Sequence, residues 1–177
     1  MATTDLHKYT VAEKLNKMDV DVITISCAMD TEDDGVITSG DVLFVLTEIP
    51  NAVSVAGGTA ILQSITGIND KQKLGAYDVI ITNDSTALTH GGTNTSGIHE
   101  AANAITNVIG VMDGTQGIVS VNAGTDVGVA SISSTGGIGL TCKAAAGSTS
   151  LYAWGIGIST DDPDEGTLYL KLGFIKD

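Results

Sequence analysis

The chain has 177 residues, enough for one domain with an ordinary hydrophobic core, and its formal net charge is -13 at pH 7. It contains eight lysines, no arginine and only 4% aromatic residues, so it lacks the basic patch and the stacking platform that nucleic-acid binding requires. No apolar run approaches the roughly 18 residues of a membrane span, and the first residues lack the pattern of a secretory signal, so we expect synthesis in a cytoplasm.

Residues 1–18 form a polar segment with one helical signal. Thr10 and Glu13 have the spacing of a capping box, and apolar residues follow at helical intervals. A helix this short is not stable alone. We therefore predict a short N-terminal helical arm over residues 1–18, which lies on this domain or on a neighbour. A single β-sandwich domain is predicted for residues 19–177.

From Asp19 onward the hydrophobic pattern has the period of two that is typical of β-strands. Val20–Cys27 alternates between an apolar and a mixed face, whereas Val42–Ile49 is apolar on both sides. That second pattern predicts a central strand or a strand covered by another subunit. Further strands are predicted at residues 61–68, 77–82, 118–121, 127–132, 138–144, 151–158 and 168–175.

The segment between the first two strands follows the twelve-residue calcium-loop template, with a glycine at the sixth position. The predicted ligands are Asp30, Glu32, Asp34, Val36, Thr38 and Asp41. Ca²⁺ prefers oxygen ligands, which these residues supply from carboxylates, a backbone carbonyl and a hydroxyl. The last position is an aspartate, and the flanking segments are predicted strands instead of helices. The alternative is an acidic, solvated turn between two strands.

One segment departs from the strand pattern. Apolar residues between Ile98 and Met112 recur at helical spacing, and Thr95 or Ser96 precedes them as a potential N-cap. Gly110 and Gly114 would end such a helix. We predict one inserted helix here, lying as a lid over one end of the sandwich.

The last two predicted strands are expected to form a hairpin that closes the core. The turn between them contains a second acidic group, made up of Asp161, Asp162, Asp164 and Glu165. It is either a second cation site or a solvated turn. Tyr152 and Trp154 are the one aromatic pair that a sugar-binding platform would use, and their spacing on a strand equally fits a core face. About nine short strands with glycine-rich turns predict a mainly β fold, an antiparallel β-sandwich or jelly roll.

No catalytic motif occurs in the sequence, and we predict a protein that is not an enzyme. His7, His90 and His99 lack the spacing of metal ligands or of a catalytic base, and no nucleophile or phosphate-loop motif is present. Cys27 and Cys142 are isolated from each other and from the histidines. We interpret them as two small buried side chains in a reducing compartment.

Three parts of the sequence together resemble a group of small β-rich virion structural proteins of tailed phages. They are residues 24–43, with Thr24–Ile25–Ser26 and Ser39–Gly40–Asp41–Val42–Leu43; residues 51–65, with Gly57–Gly58–Thr59–Ala60–Ile61; and the end, from Lys143–Ala144–Ala145–Ala146–Gly147 to Leu170–Lys171–Leu172–Gly173–Phe174. The resemblance covers most of residues 20–175. The segment that contains the calcium-like loop is longer and more acidic than in that group, so no site is transferred from it.

The resemblance implies a capsid decoration or cement protein that binds the major capsid protein on the outer surface of the head and commonly forms trimers. The strand Val42–Ile49, the arm 1–18 and the segment 98–112 are the expected contact surfaces. The acidic turns and nearly uncharged strands fit an outer layer that avoids the packaged genome. The alternative is a tail-fibre or spike module that binds a host receptor or glycan.

Overall fold

A computed structural model of the chain describes residues 20–28, 40–69, 77–86, 88–90, 98–100, 105–112, 118–119, 128–132, 139–158 and 167–176. Its strands are β1 Val20–Ala28, β2 Val42–Ile49, β3 Thr59–Asn69, β4 Tyr77–Thr82, β5 Leu88–His90, β6 Ile98–Glu100, β7 Val108–Met112, β8 Ile118–Val119, β9 Gly128–Ile132, β10 Leu140–Lys143, β11 Leu151–Gly157 and β12 Thr167–Lys176. The one helical element in these ranges is a 3-10 turn, Ile105–Asn107. None of the described helical residues forms a segment long and apolar enough to cross a membrane.

The strands form two main sheets in which all described pairings are antiparallel. The six-stranded sheet has the order β1-β12-β3-β9-β8, and β10 pairs with the first part of β3, beside the stretch that pairs with β9. The four-stranded sheet has the order β2-β11-β4-β7, and β5 and β6 form a separate two-stranded ribbon. The prediction of a mainly β fold is confirmed, and each of the nine predicted strands overlaps an observed one.

A single large hydrophobic cluster contains side chains from both main sheets. Strand β12 shows how the sequence pattern produces it, since its alternate leucines and Phe174 are all fully buried. On β1, Ile25 and Cys27 lie in the core, whereas Val20 and Val22 are exposed on the opposite face. Burying each large apolar side chain contributes roughly 1.5–3 kcal/mol, so this two-sheet cluster is the main source of stability.

The predicted helix over residues 98–112 is not present at either end of that segment. Ile98–Glu100 is strand β6 and Val108–Met112 is strand β7, while residues 101–104 lie outside the described ranges. β7 pairs with the side of β4 that does not face β11, and the β-branched residues of β7 favour a strand. Gly110 also faces Leu140, and a Cβ at that position would lie 2.8 Å from Leu140 Cδ1. Pairing and close packing therefore outweigh the helical spacing.

One further prediction about strand placement was wrong, and one is decided only in part. β2 is not central, since among the described strands it is at the edge of the four-stranded sheet, while its alternative, cover by another subunit, stays a prediction. Leu43 and Phe44 enter the core, while Leu46 packs on Trp154 on the other side. β11 and β12 do not form a hairpin. β11 lies between β2 and β4 in the four-stranded sheet, whereas β12 lies between β1 and β3 in the six-stranded sheet. The predicted arm, residues 1–18, lies outside the described residues.

Candidate functional site

The two acidic segments of the chain are anchored side by side at one end of the sheets. Ala28, before the first segment, pairs with Thr167, which follows the second. At their other ends, the Gly40 amide donates to the Gly157 carbonyl over 2.8 Å, and the Gly157 amide donates to the Asp41 carbonyl over 2.9 Å. Residues 29–39 therefore leave the sheets beside the position where residues 159–166 return, and they return beside the position where residues 159–166 leave. We call this the acidic end.

The charge carried by these segments is strongly one-sided. Residues 29–39 and 159–166 contain four carboxylates each and no lysine. The segment 70–76 leaves the same end, because Asn69 pairs with Leu168 and Tyr77 pairs with Gly157. It adds Asp70 with Lys71 and Lys73. Carboxylates thus far outnumber cations in the segments that leave and return at this end.

Asp41 is the one predicted calcium ligand that lies within the described residues. It stands just before β2 with 8% of its surface exposed, and its backbone is fixed by Gly157. The other predicted ligands, Asp30, Glu32, Asp34, Val36 and Thr38, lie outside the described ranges, as do Asp161, Asp162, Asp164 and Glu165 of the second acidic group. Within the described part of the chain, no three His, Cys, Asp or Glu side chains are grouped so as to hold a metal ion. The calcium site stays a prediction.

Two uncharged segments are tightly connected at the opposite end of the sheets. They are residues 50–58, between β2 and β3, and residues 144–150, between β10 and β11, and the flanking strands carry Glu48, Lys143 and Lys176. The two segments bond to each other through their backbones: Val53 N to Thr149 O (3.2 Å), Gly57 N to Ser148 O (2.9 Å) and Ala144 N to Gly58 O (3.1 Å). We call this the neutral end.

The neutral end also presents an apolar side chain to solvent. Val55 is 64% exposed, although its neighbours Ala52 and Val53 are buried. At the margin, the Ser150 hydroxyl donates to Oε1 of Glu48 over 2.6 Å. An uncharged, pre-ordered surface with an apolar side chain has the chemistry of a protein-binding patch, since interface centres are depleted of charge. The sequence predicted turns in both segments, but it contained no signal that they bond to one another.

Trp154 lies in a second, smaller hydrophobic cluster on the outer side of the four-stranded sheet. Trp154 and Leu88 are its buried members, and Leu46, Ile80 and Val108 pack against them. The indole is 3% exposed and Tyr152 is half-buried. A sugar platform needs an accessible ring face, so this pair does not provide one. Of the two interpretations of Tyr152 and Trp154, burial is supported for Trp154, although in the outer cluster and not in the main core.

The two cysteines are buried, as predicted, and burial makes them poor nucleophiles. Burial raises the pKa of the Cys27 thiol to about 12, with a smaller lowering from a hydrogen bond with Thr47. Burial likewise raises the pKa of Cys142 to about 11. Neither thiol is a thiolate at neutral pH, and thiolate is the reactive form.

The strand register also keeps the cysteines apart. Cys27 pairs with Leu168 and Cys142 with Ala60, which in turn pairs with Lys176. Leu168 and Lys176 are eight positions apart on β12, or roughly 26 Å at the rise of a strand. Because a disulfide needs Cα atoms within about 7 Å, the two thiols do not form one within a chain.

No protein-family model matches the chain, and no curated protein is significantly similar to it. The candidate site therefore rests on the chain's own geometry: an acidic end, a neutral end and two main sheets between them.

Proposed function

We propose that the chain is a non-enzymatic structural protein of a phage virion, a capsid decoration or cement protein that stabilises the assembled head. The observation that supports this most directly is the contrast between the two ends. The neutral end offers an ordered, uncharged surface for contact with a protein shell, and the acidic end carries charge that suits solvent. The residue stretches that resemble virion proteins of tailed phages are the second support.

We further propose that the two sheets form a jelly-roll type of β-sandwich. Both sheets contribute to one core, and the chain passes between them at each of its first four strands, with β1 and β3 in the six-stranded sheet and β2 and β4 in the four-stranded one. It crosses again from β11 to β12. Such alternation is typical of Greek-key and jelly-roll connections.

In this proposal the protein acts through thermodynamic linkage. A protein that binds only the assembled shell lowers the free energy of that state by RT ln(1 + [L]/Kd), and disassembly must overcome this term. The partner is the major capsid protein, the location is the outer surface of the head, and the copies associate as trimers. The neutral end, with Val55 exposed, faces the shell, and the acidic end points outward.

Add-back to virions that lack the protein tests the proposal. Particles without it should open at a lower temperature than intact particles, and they should open at low salt concentrations that intact particles withstand. Purified protein should restore their resistance to both challenges. Labelled protein should occupy positions across the whole head. If depleted particles resist as well as intact ones, or if the label is confined to the tail, the cement function is wrong; tail labelling is the result expected for a receptor- or glycan-binding module.

A pair of matched variants then tests the binding surface. Val55→Asp places a charge at the neutral end, so it should abolish or strongly weaken restoration of particle resistance. Gln63→Asp places the same charge at an exposed position on β3, outside the neutral end and outside the segment 98–112. The second variant should restore resistance as wild type does. Equal behaviour of the two variants would show that the neutral end is not the contact surface.

A further inference from the structure

The edge of the six-stranded sheet is formed by an unusually regular strand. β1 pairs with β12 over all nine of its residues, from Val20 opposite Ile175 to Ala28 opposite Thr167, without a register shift. Its other side has no partner strand within the described part of the chain. Soluble proteins commonly interrupt such edges with prolines, lysines, bulges or short strands, because a long regular edge pairs readily with another chain.

None of these protective features occurs in β1. Its sequence, VDVITISCA, contains one charged residue, Asp21, and that carboxylate lies 2.7 Å from the Lys176 ammonium of β12. On its outer face Val20 is 50% and Val22 64% exposed. These two are half of the four large exposed hydrophobic residues in the described structure. The strand is thus long, regular, nearly neutral and partly apolar.

We propose that β1 is a self-association edge, along which two copies of the chain pair antiparallel across a two-fold axis. A register centred on Thr24 uses all nine residues of each strand and places Thr24 opposite Thr24 of the second copy. Val22 then faces Ser26, and Asp21 faces Cys27, so the carboxylates of the two copies are kept apart. Cross-strand threonine pairs are favourable, and the pairing joins the two six-stranded sheets into one.

A second copy fits this edge better than a basic partner does, because β1 offers backbone groups and valines but only one, already paired, carboxylate. Both copies carry a net charge of -13, and most of that charge lies away from β1. Salt screens the overall repulsion without weakening backbone pairing. Association should therefore strengthen as ionic strength rises, whereas binding of a basic partner would weaken. This two-fold contact is separate from shell binding at the neutral end and from the proposed trimer, which would use other surfaces.

Sedimentation of the full chain at low and high salt tests the inference. We expect a concentration-dependent species of twice 18.0 kDa that is more abundant at high salt. Thr24→Glu should raise the dissociation constant about fivefold, because like charges then face each other across the axis. Within its own chain Thr24 is opposite Lys171, so the new carboxylate gains a cation and the fold is retained. Gln63→Glu, an exposed site on the central strand β3, makes the same charge change and should leave association unaltered.

Cross-linking gives an independent measure of the register. Directly opposed residues in antiparallel strands have Cα atoms about 4.5–5.5 Å apart, within reach of a disulfide. Thr24→Cys should therefore form a covalent dimer on oxidation much faster than Gln63→Cys, and the buried native thiols leave little background. A chain that remains monomeric at high concentration and salt, or an oligomer whose mass and stability are the same in Thr24→Glu and Gln63→Glu, would overturn the proposal.

Discussion

The phenol of Tyr77, on the four-stranded sheet, ends directly over Gly67 on the six-stranded sheet. A Cβ built on Gly67 would overlap the Tyr77 hydroxyl. Tyr77 is 1% exposed, and its hydroxyl has no hydrogen-bond partner. The absence of a side chain at Gly67 is what allows the tyrosine to bridge the two sheets. A buried hydroxyl without a partner is destabilising, so this contact combines good packing with a polar penalty.

Gly67→Ala should lower the free energy of unfolding by about 2 kcal/mol, because the added methyl forces Tyr77 or the strand to move. Tyr77→Phe removes the unpaired hydroxyl and should raise that free energy by up to about 1 kcal/mol. In the Tyr77→Phe background, Gly67→Ala should be less harmful. Urea unfolding of the two single variants and the double variant measures this coupling.

Tyr152→Phe is the matched control, because Tyr152 is half-buried on β11 and its loss of a hydroxyl should change stability by less than about 0.5 kcal/mol. Additive effects of Gly67→Ala and Tyr77→Phe would contradict the contact. So would a Tyr77→Phe variant that is much less stable than wild type.

Stability should fall in alkaline solution. Burial raises the pKa of Cys27 to about 12 and that of Cys142 to about 11, both from an ordinary value of 9.0, and it also raises the pKa of Tyr77. For Tyr77 a smaller contribution comes from the charge of Cys27. Above pH 9 the unfolded thiols lose protons that the folded protein retains. The folded state then binds more protons, so the free energy of unfolding decreases as pH rises.

The expected decrease is up to about 1.4 kcal/mol per pH unit for each thiol between pH 9 and its pKa in the folded protein. Below pH 9 the contribution of the thiols is complete and constant. Urea midpoints from pH 7 to 11 measure the profile. Cys27→Ala and Cys142→Ala should together flatten its alkaline limb, while the buried Tyr77 phenol still contributes. An unchanged slope in the double variant would exclude the thiols as its cause.

The strands were predictable because their signal is local. Alternation placed residues 77–82 within the same bounds as β4, and the regular leucines of β12 mark their buried face without any structural knowledge. Burial of the two cysteines was predicted from a different observation, their isolation from each other and from the histidines. The calcium template was also visible in the sequence, although of its ligands only Asp41 falls within the described residues.

The assignment of strands to sheets was not predictable, because it depends on contacts between distant segments. The turn residues predicted between β11 and β12 indicate that the chain reverses direction. Such a reversal can join two strands of one hairpin, or it can carry the chain from one sheet to the other. Residues 98–112 have helical spacing, but the pairing of β7 with β4 and the contact between Gly110 and Leu140 favour a strand over residues 108–112. The bonded loops of the neutral end are close only because β2, β3, β10 and β11 bring them together.

Trp154 is the single tryptophan of the chain, so its fluorescence reports on the outer hydrophobic cluster. We expect blue-shifted emission that iodide does not quench and that host-surface glycans do not change, because the indole is buried. Leu88→Ala removes the other buried member of the cluster. That variant should shift the emission to the red and lower the free energy of unfolding by about 2 kcal/mol.

Val55→Ala is the control for Leu88→Ala, since it shortens an exposed side chain at the neutral end and should leave the emission unchanged. A saturable change of wild-type emission on adding a glycan would instead show that the indole reaches ligand. That result would favour the receptor-binding alternative over a structural role for Trp154.

The two interpretations of residues 30–41 give opposite results in a calcium titration. A calcium loop predicts that millimolar Ca²⁺ binds with measurable heat and raises the melting temperature, since a ligand that binds only the folded state stabilises it. Asp41→Asn should then remove most of this calcium-dependent shift, because Asp41 occupies the final ligand position. Asp84→Asn, at a turn outside the loop, should retain the full shift. A solvated acidic turn predicts only a small response that Mg²⁺ reproduces and that added NaCl screens, with no difference between the two variants. The readout is the shift on adding metal within each variant, so a loss of stability caused by Asp41→Asn itself does not affect the comparison.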